Sequence, residues 1–133
     1  MDPRLLEAAR SAMAQAYAPY SKFQVGAAIL AENGKVYSGC NVENAAYPQG
    51  NCAEAGAIAA MIRDGARKIR EIAVIGGGTE LCTPCGGCRQ RIREFADAET
   101  RIHVCDAGGL RRSFSCEDLL PVSFGPGHLS RGI

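Results

Sequence analysis

No apolar run in these 133 residues approaches the ~18 consecutive positions that a membrane-spanning helix needs, so no membrane role is expected. An excess of either charge is also missing: fifteen Lys and Arg face fourteen Asp and Glu, for a formal net charge of +1. A chain without a strong basic field has no electrostatic footprint for a nucleic-acid backbone, which points to a small-molecule partner instead. Internal repeats, linkers and low-complexity tracts are absent, as expected of a single domain over residues 1–133. Met1-Asp2-Pro3-Arg4 opens straight into a polar, amphipathic segment without the basic start and apolar stretch of a secretory signal, so a cytoplasmic location is the default.

What is present is an ordinary globular composition, 47% hydrophobic and 22% charged. A chain of this length removes roughly 68–70% of its unfolded surface from water, enough for a core that needs no metal staple. Seven cysteines, an odd number, include three within Cys82-Thr83-Pro84-Cys85-Gly86-Gly87-Cys88. That crowding reads as metal binding in a reducing compartment rather than as a disulfide framework. Cys40, Cys105 and Cys116 read as small core residues.

Asp2 as N-cap and Pro3 at the first helical position predict a helix to about Ala16, with Leu6, Ala9 and Met13 as its apolar stripe and Pro19 as its stop. From Phe23 to Ala31 the pattern changes to period two, with small Gly26 and Ala28 on the face opposite Val25, Ala27 and Ile29, which predicts a strand with something packed closely against it. Asn33-Gly34 predicts a type I′ hairpin turn into a second strand, Lys35–Val42. If that strand stays extended to its end, Asn41 and Glu43 project from one face. A helix follows over Cys52 to about Asp64, then the continuous apolar strand Ile72–Ile75, and a helix from Pro84 to Phe95 on which Cys85, Cys88 and Ile92 point inward. A strand Arg101–Cys105, a Gly108-Gly109 turn, a strand around Arg112–Phe114 and a short helix capped by Ser115 with Asp118 complete the chain. The expected architecture is a three-layer α/β/α sandwich around a mixed sheet of about five strands.

The chemistry concentrates in Cys52-Ala53-Glu54 and Pro84-Cys85-Gly86-Gly87-Cys88. Three thiolates, two of them at predicted helix N-termini that favour the ionised form, suit a zinc ion with one coordination position left open. Glu54 can stand beside that position if Cys52 lies at or just before the helix start, because residues two apart deeper in a helix diverge. The alternative is a closed structural site with Cys82 as fourth ligand, but such a site has no use for Glu54 or for the polar pair Asn41 and Glu43. Arg89, Arg91 and Arg93 along the third helix read as a solvated or interface face.

Cys52-Ala53-Glu54 with Pro84-Cys85-x-x-Cys88-Arg89-Gln90 resembles the three-cysteine form of the zinc-dependent nucleoside deaminase signature. Three further stretches resemble the small homotetrameric cytidine deaminases: Phe23–Ala27, Asn41–Tyr47 and Leu119–Pro126. The resemblance implies hydrolytic deamination of cytidine and 2′-deoxycytidine in pyrimidine salvage, with one zinc per chain on Cys52, Cys85 and Cys88. Glu54 would carry protons between the zinc-activated water, ring N3 and departing ammonia. It further implies that Asn41 and Glu43 hold the ribose hydroxyls, that Phe23 and Ala53 line the base pocket, and that Tyr47 and Phe124 enter a neighbouring subunit's site in a homotetramer. A deaminase of another aminopyrimidine, a polynucleotide-editing deaminase and a non-catalytic zinc module are the competing readings. The sequence departs from the pattern at Ala55, where many three-cysteine relatives carry an arginine; Arg89 and the two helix N-termini are the expected source of charge compensation.

Overall fold

The computed structural model describes residues 1–129. Helix α1 (Pro3–Ala14) begins where Asp2 accepts the Arg4 amide at 2.9 Å and Pro3 supplies a preset φ. It ends two residues earlier than its periodicity suggests. Gln15 and Ala16 close tight turns onto Ala12 and Met13, and the Tyr17 amide is taken by the Asn41 carbonyl at 3.0 Å. Its buried stripe centres on Leu5 and Ala9, with Leu6 and Met13 at the rim.

Five strands follow: β1 (Val25–Ala31), β2 (Val36–Cys40), β3 (Ile69–Gly76), β4 (Arg101–Asp106) and β5 (Gly109–Ser115). They form one mixed sheet in the order β2-β1-β3-β4-β5, in which only β3 and β4 run parallel. Alternate residues of β1 serve opposite faces: Ala28 and Leu30 join the cluster under α1, whereas Ala27, Ile29 and Ala31 join the larger cluster on the other side. That second side is covered by α2 (Ala53–Arg63) and α3 (Gly86–Glu94), with the short α4 (Cys116–Leu119) beside α3, so the chain is a three-layer α/β/α sandwich.

Close packing against β1 and β2 is written into two glycines. A Cβ at Gly26 would stand 2.0 Å from the Ala9 carbonyl oxygen, and one at Gly39 would stand 2.4 Å from the Ala57 amide. The first lets α1 press onto the sheet, and the second brings α2 down onto β2.

The β1–β2 turn differs from expectation. A type I′ turn needs positive φ at both central residues, but Asn33 keeps a negative φ and only Gly34 is left-handed, at 80°. The Gly34 amide bonds back to Ala31 at 2.9 Å, which makes a three-residue loop with glycine at its bulge. Asn33 holds this form because its side-chain oxygen accepts the Lys35 amide at 3.0 Å.

Strand β1 starts at Val25 rather than Phe23, and β2 covers Val36–Cys40 rather than Lys35–Val42. The shortening at the Phe23 and Val42 ends comes from Asn41. Its side chain accepts the Val25 amide and donates to the Phe23 carbonyl, each at 2.8 Å, so an amide side chain replaces the ladder at this end. Strands β3 and β5 are longer than their apolar runs, since Ile69, Arg70 and Glu71 in β3 alternate buried, exposed and half-buried. The Ser115–Asp118 capping box forms as expected.

Candidate active site

Cys52 is the N-cap of α2 and Cys85 the N-cap of α3, both in extended backbone, so each thiol sits just ahead of a helix. Cys88, one turn into α3, is fully buried. The Sγ atoms of these three residues lie within 4.8 Å of one another. Cys85 is exposed and not inward-pointing as the apolar spacing suggests, because an N-cap lies outside the helical stripe. Cys82 is not part of this group; it packs against Gly76 at the end of β3. A trio of soft, close thiolate donors fits zinc, whose preferred four-coordination leaves one position for a non-protein ligand.

Glu54 lies in the first turn of α2, directly after the cap, and is only 4% exposed. Burial pushes its carboxyl above the usual range, against the opposing pull of its own amide, the Cys88 thiol and the Arg91 charge. The thiols are tuned differently. Backbone N–H groups of Cys88 and Gly87 at the start of α3 hold the Cys85 thiol below its ordinary value, as a helix N-terminus does. Burial raises Cys88 strongly and Cys52 less so, with the neighbouring Glu54 and thiolate charges adding to both. A divalent cation among the three sulfurs reverses that repulsion.

A second group of residues lies alongside. Val42 and Asn51 exchange backbone hydrogen bonds at 2.9 and 2.8 Å, and this bridge sets Asn41–Glu43 next to the approach to Cys52. The Asn41 and Glu43 side chains both reach the segment 20–25, as the extended alternation predicts. Glu43 accepts the Tyr20 and Ser21 amides at 3.0 Å each and the Ser21 hydroxyl. The Ser21 hydroxyl, followed by those amides, holds its carboxyl below the usual range. A cavity of about 340 Å³ opens here, lined by Tyr20, Ser21, Glu43, Asn44, Tyr47 and Gly50.

Phe23 turns its ring over the β3 exit, where Cβ atoms at Gly76 and Gly78 would meet it at 3.1 and 3.0 Å. The Ala53 side chain is buried in the core, so it can offer a ligand only its backbone, in a first helical turn whose N–H groups lack intrahelical partners. Tyr47 is 77% exposed and meets Tyr20 edge-on at 6.0 Å. Phe124 is 55% exposed, stacks on His128 at 4.8 Å, and its carbonyl accepts Gln90 of α3 at 3.0 Å. It is thus fastened to α3 and is not among the residues that line the cavity at Glu43 and Tyr47.

Two features escaped the sequence reading. Ser21 and the Tyr20 amide orient Glu43, but neither belongs to a recognisable pattern. Arg91 brings its Nη1 to 3.7 Å from Cys88 Sγ, a contact signalled only by the i,i+3 spacing of the two residues. Arg89 is engaged elsewhere: its guanidinium donates to the Pro84 carbonyl at 2.7 Å, the Leu119 carbonyl at 2.9 Å and the Thr83 hydroxyl at 3.3 Å. It fastens the segment before Cys85 to the end of α4.

Residues 1–104 match the family described as "Cytidine and deoxycytidylate deaminase zinc-binding region". The chain is 41% identical over 127 residues to a cytidine deaminase of Sporosarcina psychrophila, covering 96% of this chain and 93% of that one. It is 40% identical over 124 residues to the cytidine deaminase of Mycobacterium tuberculosis, covering 92% and 89%. The crystal structure of cytidine deaminase from Burkholderia pseudomallei superposes with a TM-score of 0.86 at 42% identity, covering 93% of this chain and 99% of that one. That of the Mycobacterium tuberculosis enzyme does so at 0.78 and 38%, covering 92% and 95%. With more than half of its length matched, and with its thiol cluster within the matched residues, this chain belongs to the cytidine and deoxycytidylate deaminase family.

Proposed function

We propose that the chain is a cytoplasmic hydrolase of pyrimidine salvage that converts cytidine and 2′-deoxycytidine to uridine and 2′-deoxyuridine. The observation that carries this reading is the burial of Glu54, a lone carboxylate in the first turn of α2, against three clustered thiols. A zinc ion on Cys52, Cys85 and Cys88 supplies Lewis-acid activation of a water when bound. Glu54 does the proton work: it accepts one proton from the attacking water and delivers it to N3 as C4 is attacked, then takes the proton of the new C4 hydroxyl and passes it to the amino group, which leaves as ammonia as the C4 carbonyl forms. Its desolvated setting raises its proton affinity, the direction that suits a carboxyl serving first as base and then as acid.

Recognition of the sugar falls to Asn41 and Glu43. Glu43 is held ionised and oriented by Tyr20 and Ser21, and its oxygens retain capacity for further hydrogen bonds from ribose hydroxyls. Asn41, fixed by Val25 and Phe23, keeps a second amide hydrogen free to donate. Phe23 and the Ala53 backbone line the base side. Tyr47 and Phe124 carry large exposed rings, and the reading assigns them to the site of a neighbouring copy in a homotetramer, with Phe124 stacking on the pyrimidine. No helix among the described residues is long and apolar enough to cross a membrane.

Ultraviolet absorbance on cytidine, 2′-deoxycytidine and free cytosine tests this. Turnover of both nucleosides with little on the base is expected, because the remote sugar contacts orient the ring. Turnover of neither nucleoside by protein holding one zinc per chain contradicts the reading.

A further inference from the structure

Zinc with three thiolates carries a formal charge of −1, and the Glu54 carboxylate adds a second negative group beside it. A buried site of that charge is stable only if donors and cations face the sulfurs. Cys52 and Cys85 are the N-caps of α2 and α3, at helix ends that favour a thiolate, which leaves Cys88, the fully buried sulfur, to be accounted for. Ala55, next to Glu54, brings no charge. Arg89 donates to two carbonyls and a hydroxyl.

Arg91 is different. One turn beyond Cys88 on the same face of α3, it folds back toward the helix N-terminus, as helical side chains do, and sets Nη1 3.7 Å from Cys88 Sγ. The same nitrogen lies over Gly87, where a Cβ would stand 3.2 Å away, so a glycine at that position leaves room for the guanidinium across the first turn. Its charge also acts on Glu54. We propose that Arg91 is the charge-compensating residue of the metal site, a positioning residue that hydrogen-bonds the Cys88 thiolate and lowers the electron donation of that sulfur to the metal.

This rests on the three-thiolate zinc reading above, and its test needs no substrate. Arg91 is exposed, so neither Arg91→Gln nor Arg91→Lys removes core packing. Competition of the holoenzyme with a chelator should show zinc held roughly tenfold less tightly in Arg91→Gln, the lower end of the cost for losing a ligand's outer partner. Arg91→Lys, which keeps the charge, should recover most of that loss. With cobalt in place of zinc, the sulfur-to-metal charge-transfer band should move to longer wavelength in Arg91→Gln and lie closer to wild type in Arg91→Lys. Wild-type zinc retention together with an unshifted band in Arg91→Gln would overturn the proposal, as would equal losses in the two variants. Failure of the wild type to turn over cytidine would instead count against the proposed function and leave these two readouts standing.

Discussion

The two halves of the site are built on different principles. The thiol half is assembled from helix starts: Cys52 and Cys85 cap α2 and α3, and Glu54 and Cys88 are buried within the first turns, at 4% and 0% exposure. The sugar half is assembled from loops: Asn41 and Glu43 grip the backbone of residues 20–25, and the aromatic side chains around them are open, Tyr47 at 77%. The first half needs only the local geometry of two helices and is complete within one chain. The second holds its polar groups firmly but leaves its apolar surface uncovered, which is the form expected if another copy closes it.

The largest effect that would break this contrast comes from the thiol half. Cys88→Ala should lose zinc and bring turnover below detection, with metal analysis and absorbance as the measurements; retained zinc would mean that the cluster is not the metal site. Next comes Glu43→Ala, which removes a charged hydrogen-bonding group worth about 1.5–3 kcal/mol and should lower kcat/KM on cytidine by about 10- to 150-fold while zinc content stays at the wild-type level. An accompanying loss of zinc would show that the two halves are not separable. Phe124→Ala should cost less, about 2- to 10-fold in kcat/KM, in line with the extra worth of one aromatic pair. That loss should go with no change in zinc, and mixing Phe124→Ala with Glu54→Gln protein should restore activity if Phe124 serves a neighbour's site. The smallest effect is on stability alone. Ser115→Ala, which removes the cap of α4, should lower the unfolding free energy by about 1 kcal/mol in a urea titration. Leu5→Ala, far from the site, provides the scale at about 2–5 kcal/mol.

The thiol half was legible in the sequence for the reason that makes it rigid: an N-cap followed by residues one or three positions on has few geometries, so Cys52-Ala53-Glu54 and Cys85-x-x-Cys88 specify their own arrangement. The layers were legible from periodicity, and the close approach at Gly26 from its small size, whereas the contact of α2 on Gly39 emerged only from the structure. Strand ends near the site were not, because Asn41 replaces a backbone ladder with its side chain, and no local propensity encodes that exchange. The hairpin turn was misread because Asn33 bonds the Lys35 amide and so avoids the left-handed conformation that Asn-Gly suggests. Arg91 was hidden among three arginines that look alike as a charge pattern. Only the paths of their side chains separate Arg89, tied to Pro84 and Leu119, from Arg91 at the Cys88 sulfur.

The central claim is that Glu54 moves the protons of a deamination carried out at a three-thiolate zinc site. It is tested most directly by Glu54→Gln, with turnover of cytidine and zinc stoichiometry measured on the same preparation. Loss of about 10²–10⁴-fold in kcat with one zinc retained per chain is the expected result. Wild-type turnover in that variant would contradict the account.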